Sequence, residues 1–513
     1  MERKGFLHGA AVLLLANAIV KAAGAIFKIP LANLIGDGGM GLFSVAYSFY
    51  AMLFVLSTAG LPVAVSGMVS HADAQGRDAR ATVRRALAVF AILGATVSVA
   101  VLLFAEPIAC ALGEKDAKLC MMAIAPAIFF VTVTAVLRGW HQGKGTMEPT
   151  GASQIIEAAC KVLIGLGAAI LMLPMGIQWA AAGAILGMTV GTAVSMIYLL
   201  CRSAHDLSGP VRDKPQLGKL MELVIPVTLS ASILSVVSFV EVAVILHRLP
   251  LAGFTAEQTN RMFGAYSGMA QTLFNLPQTL ASALAMSLIP EVAAAHAQGS
   301  QMRQTHLTHS VLRLTMMICI PCGAGLSTLA GPILRLLYPA QPRAVMTAEP
   351  LLFVLGFAVP LVGLATVTTA VLQASGREAV PVVSMTAGGI VKLAMGYFLL
   401  PQYGIEVIPF TTIAGYGVIA VWNLIVLARQ QPVRLFSAAA GPLTASVGMA
   451  SAAYLIYDAL NSYIQPGTAT MAAICGAAGI YAILLVLLGV IRYDDIIRLP
   501  GGGKIAAVMG MKS

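Results

Sequence analysis

The chain has 513 residues, of which 58% are hydrophobic and only 10% are charged, and its mean hydropathy is +0.87. Soluble domains carry about 25% charged residues, so this composition excludes a soluble protein and indicates an integral membrane protein. The formal net charge of +10 does not gather in a basic patch interleaved with aromatic residues, which argues against a nucleic-acid partner.

Apolar windows long enough to cross a bilayer follow one another along the chain and predict an all-α integral membrane fold of about 14 transmembrane helices. The basic start Met1–Lys4 and the apolar run Phe6–Ile19 resemble a signal peptide. Because the apolar stretch continues to Ile35, we interpret it as an uncleaved first span. The predicted spans are 7–35, 41–69, 86–106, 118–138, 150–173, 178–201, 221–247, 263–290, 309–330, 346–373, 381–400, 407–428, 438–458 and 468–491.

Lysine and arginine residues of the predicted loops are distributed unequally between the two sides of the membrane. About 20 of them lie on the side of both termini and about 6 on the other side. Cytoplasmic loops carry the excess of positive charge in membrane proteins. We therefore expect a multi-pass protein with both termini in the cytoplasm.

The two halves of the chain share a weak internal repeat. In each half a Thr-Ala-Val-Leu motif, a polar turn, a proline and a lysine follow in the same order, at Thr134–Leu137, Pro149 and Lys161 and again at Thr369–Leu372, Pro381 and Lys392. An offset of six spans makes these parallel repeats, which predicts two six-helix lobes around a central cavity. We expect an N-lobe over residues 1–205 (spans 1–6), a C-lobe over 206–430 (spans 7–12), and spans 13 and 14 with a cytoplasmic tail over 431–513.

Three lysines, Lys21, Lys161 and Lys392, lie inside predicted spans. Each would cost about 2.5–3.5 kcal/mol at the centre of a bilayer, so we expect them to face water, a counter-ion or an anionic cargo. Lys28 follows Lys21 by two helical turns, and Asn17 precedes Lys21 by one turn. This spacing places all three side chains on one face of span 1. Lys21, Lys28 and Asn17 are therefore candidate substrate-binding residues, with snorkelling to the outer surface as the alternative for Lys28.

Lys161 and Lys392 complete the candidate substrate-binding set, and each has a structural alternative. Glu157 lies four residues before Lys161, the favourable order for a helical ion pair that would neutralise both charges. Lys392 has no carboxylate three or four residues away, and its alternative is a contact with Glu241 or with backbone carbonyls. Glu241, deep in span 7, is a candidate counter-ion for the span 1 lysines or a proton or cation site, and we favour the counter-ion.

Motifs for other chemistry are weak. Cys319 and Cys322 have redox-motif spacing but lie in a membrane span without a thioredoxin-like βαβ context. The ridge of Gly183, Gly187 and Gly191 in span 6 has the small-xxx-small pattern of helix packing. Nucleophile–base pairs, metalloprotease motifs and phosphate loops are not convincing. We therefore expect a transporter that uses no cofactor or metal rather than an enzyme.

A series of short motifs runs through nearly the whole chain. They are Lys21-Ala-Ala-Gly24, Ile29-Pro-Leu31, Ile35-Gly36, Gly39-Met-Gly41-Leu-Phe43, Ala59-Gly-Leu-Pro62, Arg138-Gly139, Ser153-Gln-Ile-Ile-Glu157, Ile225-Pro-Val-Thr228, Leu312-Arg313 and Leu372-Gln-Ala-Ser-Gly376. In this order they resemble the polysaccharide-exporter branch of the multidrug/oligosaccharidyl-lipid/polysaccharide (MOP) flippase superfamily. Within that branch the resemblance is to the group of stage V sporulation protein B and MurJ-type lipid II flippases.

This resemblance implies a MATE-like fold, alternating access for a lipid-linked sugar, and a groove for the polyprenyl tail formed by spans 13 and 14. It also implies that Lys21 belongs to a cationic cavity cluster and contacts the pyrophosphate of the cargo. The chain departs from the Gram-negative lipid II flippases, which carry further basic residues in their counterparts of spans 2 and 8. Here Leu56–Gly60 and Thr272–Leu276 are neutral.

The function expected from the residues and the resemblance is that of a monomeric flippase in the bacterial cytoplasmic membrane. Its cargo would be an undecaprenyl-pyrophosphate-linked glycan, with lipid II as the first candidate, and lysine is a suitable donor to a pyrophosphate. One alternative is a cation-coupled multidrug antiporter, which would need membrane acids such as Glu241. The other is a membrane glycan-processing enzyme, which would need acids or bases gathered at one face. A coupling cation and a role in sporulation stay open.

Overall fold

A computed structural model describes residues 2–209, 216–432 and 435–490 of the chain. These residues are helical without a strand, in agreement with the predicted all-α fold class. The helices are α1 (Glu2–Thr58), α2 (Leu61–Ala74), α3 (Arg80–Leu103), α4 (Ala105–Ala111), α5 (Lys118–Gly143), α6 (Glu148–Met172), α7 (Ile177–Ser208), α8 (Leu217–Arg248), α9 (Ala256–Gly264), α10 (Gln271–Ala297), α11 (Gln301–Thr328), α12 (Ala330–Leu337), α13 (Pro342–Ala374), α14 (Ala379–Tyr403), α15 (Ile408–Ala428), α16 (Leu435–Asn461) and α17 (Pro466–Leu487).

Eleven helical segments of the described residues are long and apolar enough to cross a membrane. Two of them, Ile19–Ala74 and Ala379–Ala428, contain 56 and 50 residues, more than twice the roughly 20 residues that one crossing needs. Each of these two segments covers two of the predicted spans. The membrane fold is therefore confirmed, and the number of 14 spans stays a prediction.

Two breaks divide the first of these long segments. At Gly36 the backbone has φ 68° and ψ −172°, a conformation that favours glycine because a Cβ would clash there. The second break separates Thr58 from Leu61, and Pro62 stands in the first turn of α2, where a proline removes no helical hydrogen bond. The Gly60 amide left free by the break donates to Thr228 Oγ1 of α8 at 3.2 Å. The predicted span 41–69 is thus two helices with their own boundaries.

Contacts group the described residues into two units. The first contains the residues up to Gly268 together with Gly396–Ile405, and the second contains Met269–Met395 and the residues from Glu406 onward. The predicted lobe boundaries at residues 205 and 430 stay predictions. The first unit holds α1 to α9, and it contains most of the candidate site residues.

Close packing of α6 on α7 depends on glycines, as the small-xxx-small ridge predicted. A Cβ on Gly183 would lie 2.9 Å from the Ala168 carbonyl oxygen, and one on Gly191 would lie 2.8 Å from the Glu157 carbonyl oxygen. A Cβ on Gly187 would overlap the backbone of Gly165. The ridge therefore lets two backbones touch, and it fixes the position of α6.

Gly187→Ala is expected to destabilise the protein by roughly 1–3 kcal/mol, because the added methyl group forces two packed backbones apart. The measurement is thermal unfolding of the purified protein in detergent. Gly167→Ala on α6 is the matched control, since a Cβ there meets nothing within 4 Å and alanine is the better helix former. Equal melting temperatures for the two variants would contradict the packing role of Gly187.

Candidate functional site

An aromatic pocket with two lysines lies in the first unit, between α1 and α6. The Lys28 Nζ atom is 5.5 Å from the centroid of the Tyr47 ring, and the Lys161 Nζ atom is 5.4 Å from the same centroid. Lys161 Nζ also lies 5.2 Å from the centroid of the Phe27 ring. These distances are those of cation–π contacts. Both ammonium groups therefore lie beside one tyrosine ring, and we call Phe27, Lys28, Tyr47 and Lys161 the lysine pocket.

The turn at Gly36 brings together the residues that α1 contributes to this pocket. It brings Phe27, which precedes the turn, to Phe43, which follows it, with ring centroids 5.9 Å apart. Phe43 in turn stacks on Tyr47 at 5.8 Å with an interplanar angle of 10°. Phe27 and Phe43 are fully buried, so the pocket has a rigid apolar wall behind its charges.

Both ammonium groups of the lysine pocket lack a salt bridge within the described part of the chain. Lys28 and Lys161 are each half-buried, and within the described residues their ammonium groups lie against aromatic rings. Two partly desolvated cations without a carboxylate partner form an anion-attracting site, because a bound anion would supply the missing counter-charge.

Glu157 does not neutralise Lys161, although the spacing on the helix allows it. Its Oε2 atom accepts a hydrogen bond from Arg138 Nη2 of α5 at 3.0 Å, and this ion pair is only 13% and 27% exposed at the arginine and glutamate side chains. Arg138 also donates from Nε to Ser153 Oγ at 3.0 Å and from Nη2 to Ser195 Oγ at 3.3 Å. The helical ion pair considered as the alternative for Lys161 is therefore replaced by a tertiary one.

Arg138 is a residue of the site that the sequence analysis missed. The predicted span 118–138 ends at Arg138, which placed this residue at the membrane surface, whereas α5 continues to Gly143 and keeps Arg138 inside the helix. The signal that would have found it is the Gly143-Lys144-Gly145 turn. Gly145 has φ 76°, and such a glycine marks the helix end one and a half turns after Arg138.

The remaining lysine and asparagine of span 1 lie further from the ring. Lys21 is exposed on α1, two helical turns before Lys28, and Asn17 is half-buried. The structure thus brings Lys28 and Lys161 together and leaves Lys21 outside that contact. Glu241 is 7% exposed in α8 of the same unit. Substrate binding by Lys21 and Asn17, and the counter-ion role of Glu241, stay predictions.

The second unit holds Lys392, half-buried on α14, and a buried network of uncharged polar side chains from α13, α14 and α15. Asn423 of α15 is fully buried and donates to Thr368 Oγ1 at 3.2 Å and to Thr369 Oγ1 at 3.1 Å. Its Oδ1 accepts from Ser384 Oγ at 2.8 Å. Ser384 precedes Lys392 by eight residues, as Ser153 precedes Lys161. Each lysine of the repeat therefore follows a serine held in a buried hydrogen-bond network.

Glu114, in the connection between α4 and α5, is a buried acid outside the long apolar helices, with 8% exposure. Burial, with a smaller contribution from the charge of Asp116, raises the pKa of Glu114 from 4.5 to about 7. A raised pKa means that the folded state holds the proton more tightly than the unfolded state. Ionisation of Glu114 therefore opposes folding, increasingly between pH 4.5 and about 7.

The melting temperature of the purified protein is expected to fall as the pH rises from 5 to 8, because Glu114 must either stay protonated or become charged while buried. Glu114→Gln removes this contribution and should flatten the pH profile, with the largest gain in stability above pH 7. Thermal unfolding in one detergent at several pH values measures both. An unchanged profile in the Glu114→Gln variant would show that other groups cause the pH dependence.

Known proteins resemble this chain over most of its length. The family model described as "Polysaccharide biosynthesis protein" matches residues 6–296. Stage V sporulation protein B of Bacillus subtilis (strain 168) is 26% identical over 530 residues, which cover 98% of this chain and 99% of that protein. Lipid II flippase MurJ of the same organism is 24% identical over 83% of this chain and 82% of its own length.

Solved structures share the fold. Lipid II flippase MurJ in an inward closed conformation gives a TM-score of 0.74 at 15% identity, covering 94% of this chain and 99% of that one. An inward-facing multidrug resistance MATE family transporter of the MOP superfamily gives 0.67 at 15% identity, covering 82% and 98%. Together with the family match, these likenesses confirm the superfamily resemblance and the MATE-like fold.

Proposed function

The chain belongs to the polysaccharide biosynthesis protein family, and from that membership and the lysine pocket we propose that it exports an undecaprenyl-pyrophosphate-linked glycan across the bacterial cytoplasmic membrane. Its apolar helices and its homology to flippases and MATE transporters make it a multi-pass membrane transporter. The proposal adds the cargo, the site that binds it and alternating access as the mechanism. Lipid II is the first cargo to test, because it is the cargo in the name of one relative.

The observation that carries the proposal is the pair of ammonium groups on the Tyr47 ring, 5.5 Å and 5.4 Å from its centroid. A pyrophosphate carries several charged oxygens, so we propose that it accepts a hydrogen bond from each of the lysines beside this ring. Lysine suits a cargo that must also leave, since its ammonium group is compact and rotates freely. The absence of a carboxylate partner for Lys28 and Lys161 among the described residues keeps both charges available.

The energetics require such a site. A pyrophosphate group cannot cross the hydrocarbon region unaided, because an unpaired buried charge is prohibitively costly. Outward movement of negative charge from a cytoplasm at negative potential is favourable by about 2.3 kcal/mol per charge for each 100 mV. A site that pairs the pyrophosphate with lysines thus removes the barrier, and the membrane potential supplies a direction.

Complementation tests the cargo. The endogenous lipid II flippase of a bacterium is depleted while this chain is expressed, and viability and outward movement of lipid II are followed. Rescue is expected, together with loss of rescue in a Lys28→Gln/Lys161→Gln variant that still inserts. Correct insertion without rescue would overturn the lipid II assignment. Resistance to cationic drugs without rescue would favour the antiporter alternative, in which Glu241 would be the coupling acid.

A further inference from the structure

We propose that Gln154 and Glu157 form a sugar subsite beside the lysine pocket, so that this unit recognises a glycosyl diphosphate rather than a diphosphate alone. The inference rests on the proposed function and deepens it. The subsite would bind the donor groups, hydroxyl and acetamido N–H, of the sugar joined to the pyrophosphate. Gln154 and Glu157 would thus select the glycosylated form of the lipid carrier.

The three side chains concerned share one face of α6. Gln154, Glu157 and Lys161 are spaced i, i+3 and i+7, the spacing of residues that lie above one another on a helix. With a rise of 1.5 Å per residue, Glu157 lies about 6 Å and Gln154 about 10 Å along the axis from Lys161. A diphosphate held at Lys161 would therefore place the adjoining sugar ring beside Glu157 and Gln154.

The acceptor oxygens of these two residues do not suit a phosphate. Gln154 Oε1 is buried and has no hydrogen-bond partner in the part of the chain that the structure describes. Glu157 forms its ion pair through Oε2, which leaves Oε1 as a further acceptor. Ionised phosphate oxygens only accept, so they cannot satisfy carbonyl or carboxylate oxygens. A sugar carries the donors that these acceptors require.

Arg138 gives the subsite a fixed geometry. Its guanidinium group binds Glu157 Oε2, Ser153 Oγ and Ser195 Oγ at 3.0, 3.0 and 3.3 Å. The two serines, on α6 and α7, hold the guanidinium group in place, and the guanidinium group in turn fixes the position of the Glu157 carboxylate. The pocket thus offers cations to the diphosphate and, one helical turn away, acceptors to the sugar.

Two lipids distinguish the subsite from the diphosphate site. Binding of undecaprenyl diphosphate and of undecaprenyl diphosphate carrying one N-acetylhexosamine is measured by native mass spectrometry on the purified protein. Glu157→Gln and Gln154→Met should each weaken binding of the glycosylated lipid about tenfold and leave undecaprenyl diphosphate within twofold of the wild type. Gln154→Met leaves the Arg138 ion pair intact, so it separates recognition from folding. Glu148→Gln, an exposed acid at the start of the same helix, is the control and should change neither affinity.

The outcomes separate the two proposals. If Glu157→Gln and Gln154→Met weaken both lipids equally, or weaken neither, the sugar subsite is wrong while the flippase proposal stands. If the wild type binds neither lipid, or if Lys161→Gln leaves both affinities unchanged, the proposed function itself is wrong.

Discussion

Replacing Lys28 and Lys161 together with glutamine is expected to reduce outward transport of the lipid-linked pyrophosphate at least 100-fold. Each lysine would donate a charge-assisted hydrogen bond of about 1.5–3 kcal/mol, so losing both amounts to a factor of roughly 10²–10⁴. Each single variant should lose about the square root of that factor. The stability of the double variant should not fall, because neither lysine forms a salt bridge among the described residues. Removing both also ends the repulsion between two positive charges beside the same ring.

Lys144→Gln is the matched control for this pair. The Lys144 Nζ atom lies 5.3 Å from the centroid of the Trp140 ring, but the side chain is exposed at the end of α5 and bridges to Asp73 at 2.8 Å. The Lys144→Gln variant thus loses the same kind of cation–π contact, but outside the lysine pocket. Its transport rate should equal that of the wild type. A double Lys28/Lys161 variant that transports like Lys144→Gln would exclude the lysine pocket as the binding site.

Arg138→Leu is expected to destabilise the protein by roughly 3 kcal/mol, because it leaves a largely buried carboxylate without its counter-charge. The value lies at the lower end for buried ion pairs, since Glu157 keeps 27% of its side-chain surface accessible. Replacing both partners, in Arg138→Leu/Glu157→Leu, should recover most of the loss, because no charge is then left unpaired. Thermal unfolding of the wild type, both single variants and the double variant completes a double-mutant cycle.

A double Arg138/Glu157 variant no more stable than Arg138→Leu would contradict this interpretation. The loss would then come from the contacts of Arg138 with Ser153 and Ser195, both fully buried. Ser195→Ala separates the two, since it removes one hydrogen bond and leaves the ion pair intact. It should cost about 1 kcal/mol.

The lysines of the pocket could be predicted from sequence, but not the ring that joins them. The cost of a charge in an apolar span singled out Lys161, and helical periodicity added Lys28. Their meeting at Tyr47 depends on the turn at Gly36, whose backbone angles decide where the following helix points. A glycine in an apolar run does not by itself predict such a turn. The contact of both lysines with Tyr47 could therefore be found only from the three-dimensional structure.

The ion pair of Glu157 shows the same limit of prediction from sequence. The i,i+4 rule assigned Glu157 to Lys161, since sequence neighbours are the only partners that spacing can propose. The actual partner, Arg138, comes from another helix and already has two serines fixing its guanidinium group. Tertiary contacts outweigh a local pair worth only a few tenths of a kcal/mol, and this leaves Lys161 available.

Reconstitution tests the proposal most directly. The purified protein is placed in vesicles with fluorescent lipid II, and movement of the lipid between leaflets is followed with and without an imposed membrane potential. Wild-type vesicles should move the lipid, faster when the potential favours export of negative charge, and vesicles with the Lys28→Gln/Lys161→Gln variant should not. Equal rates for the wild type and this variant, or no movement by a folded wild-type protein, would contradict lipid II export through the lysine pocket.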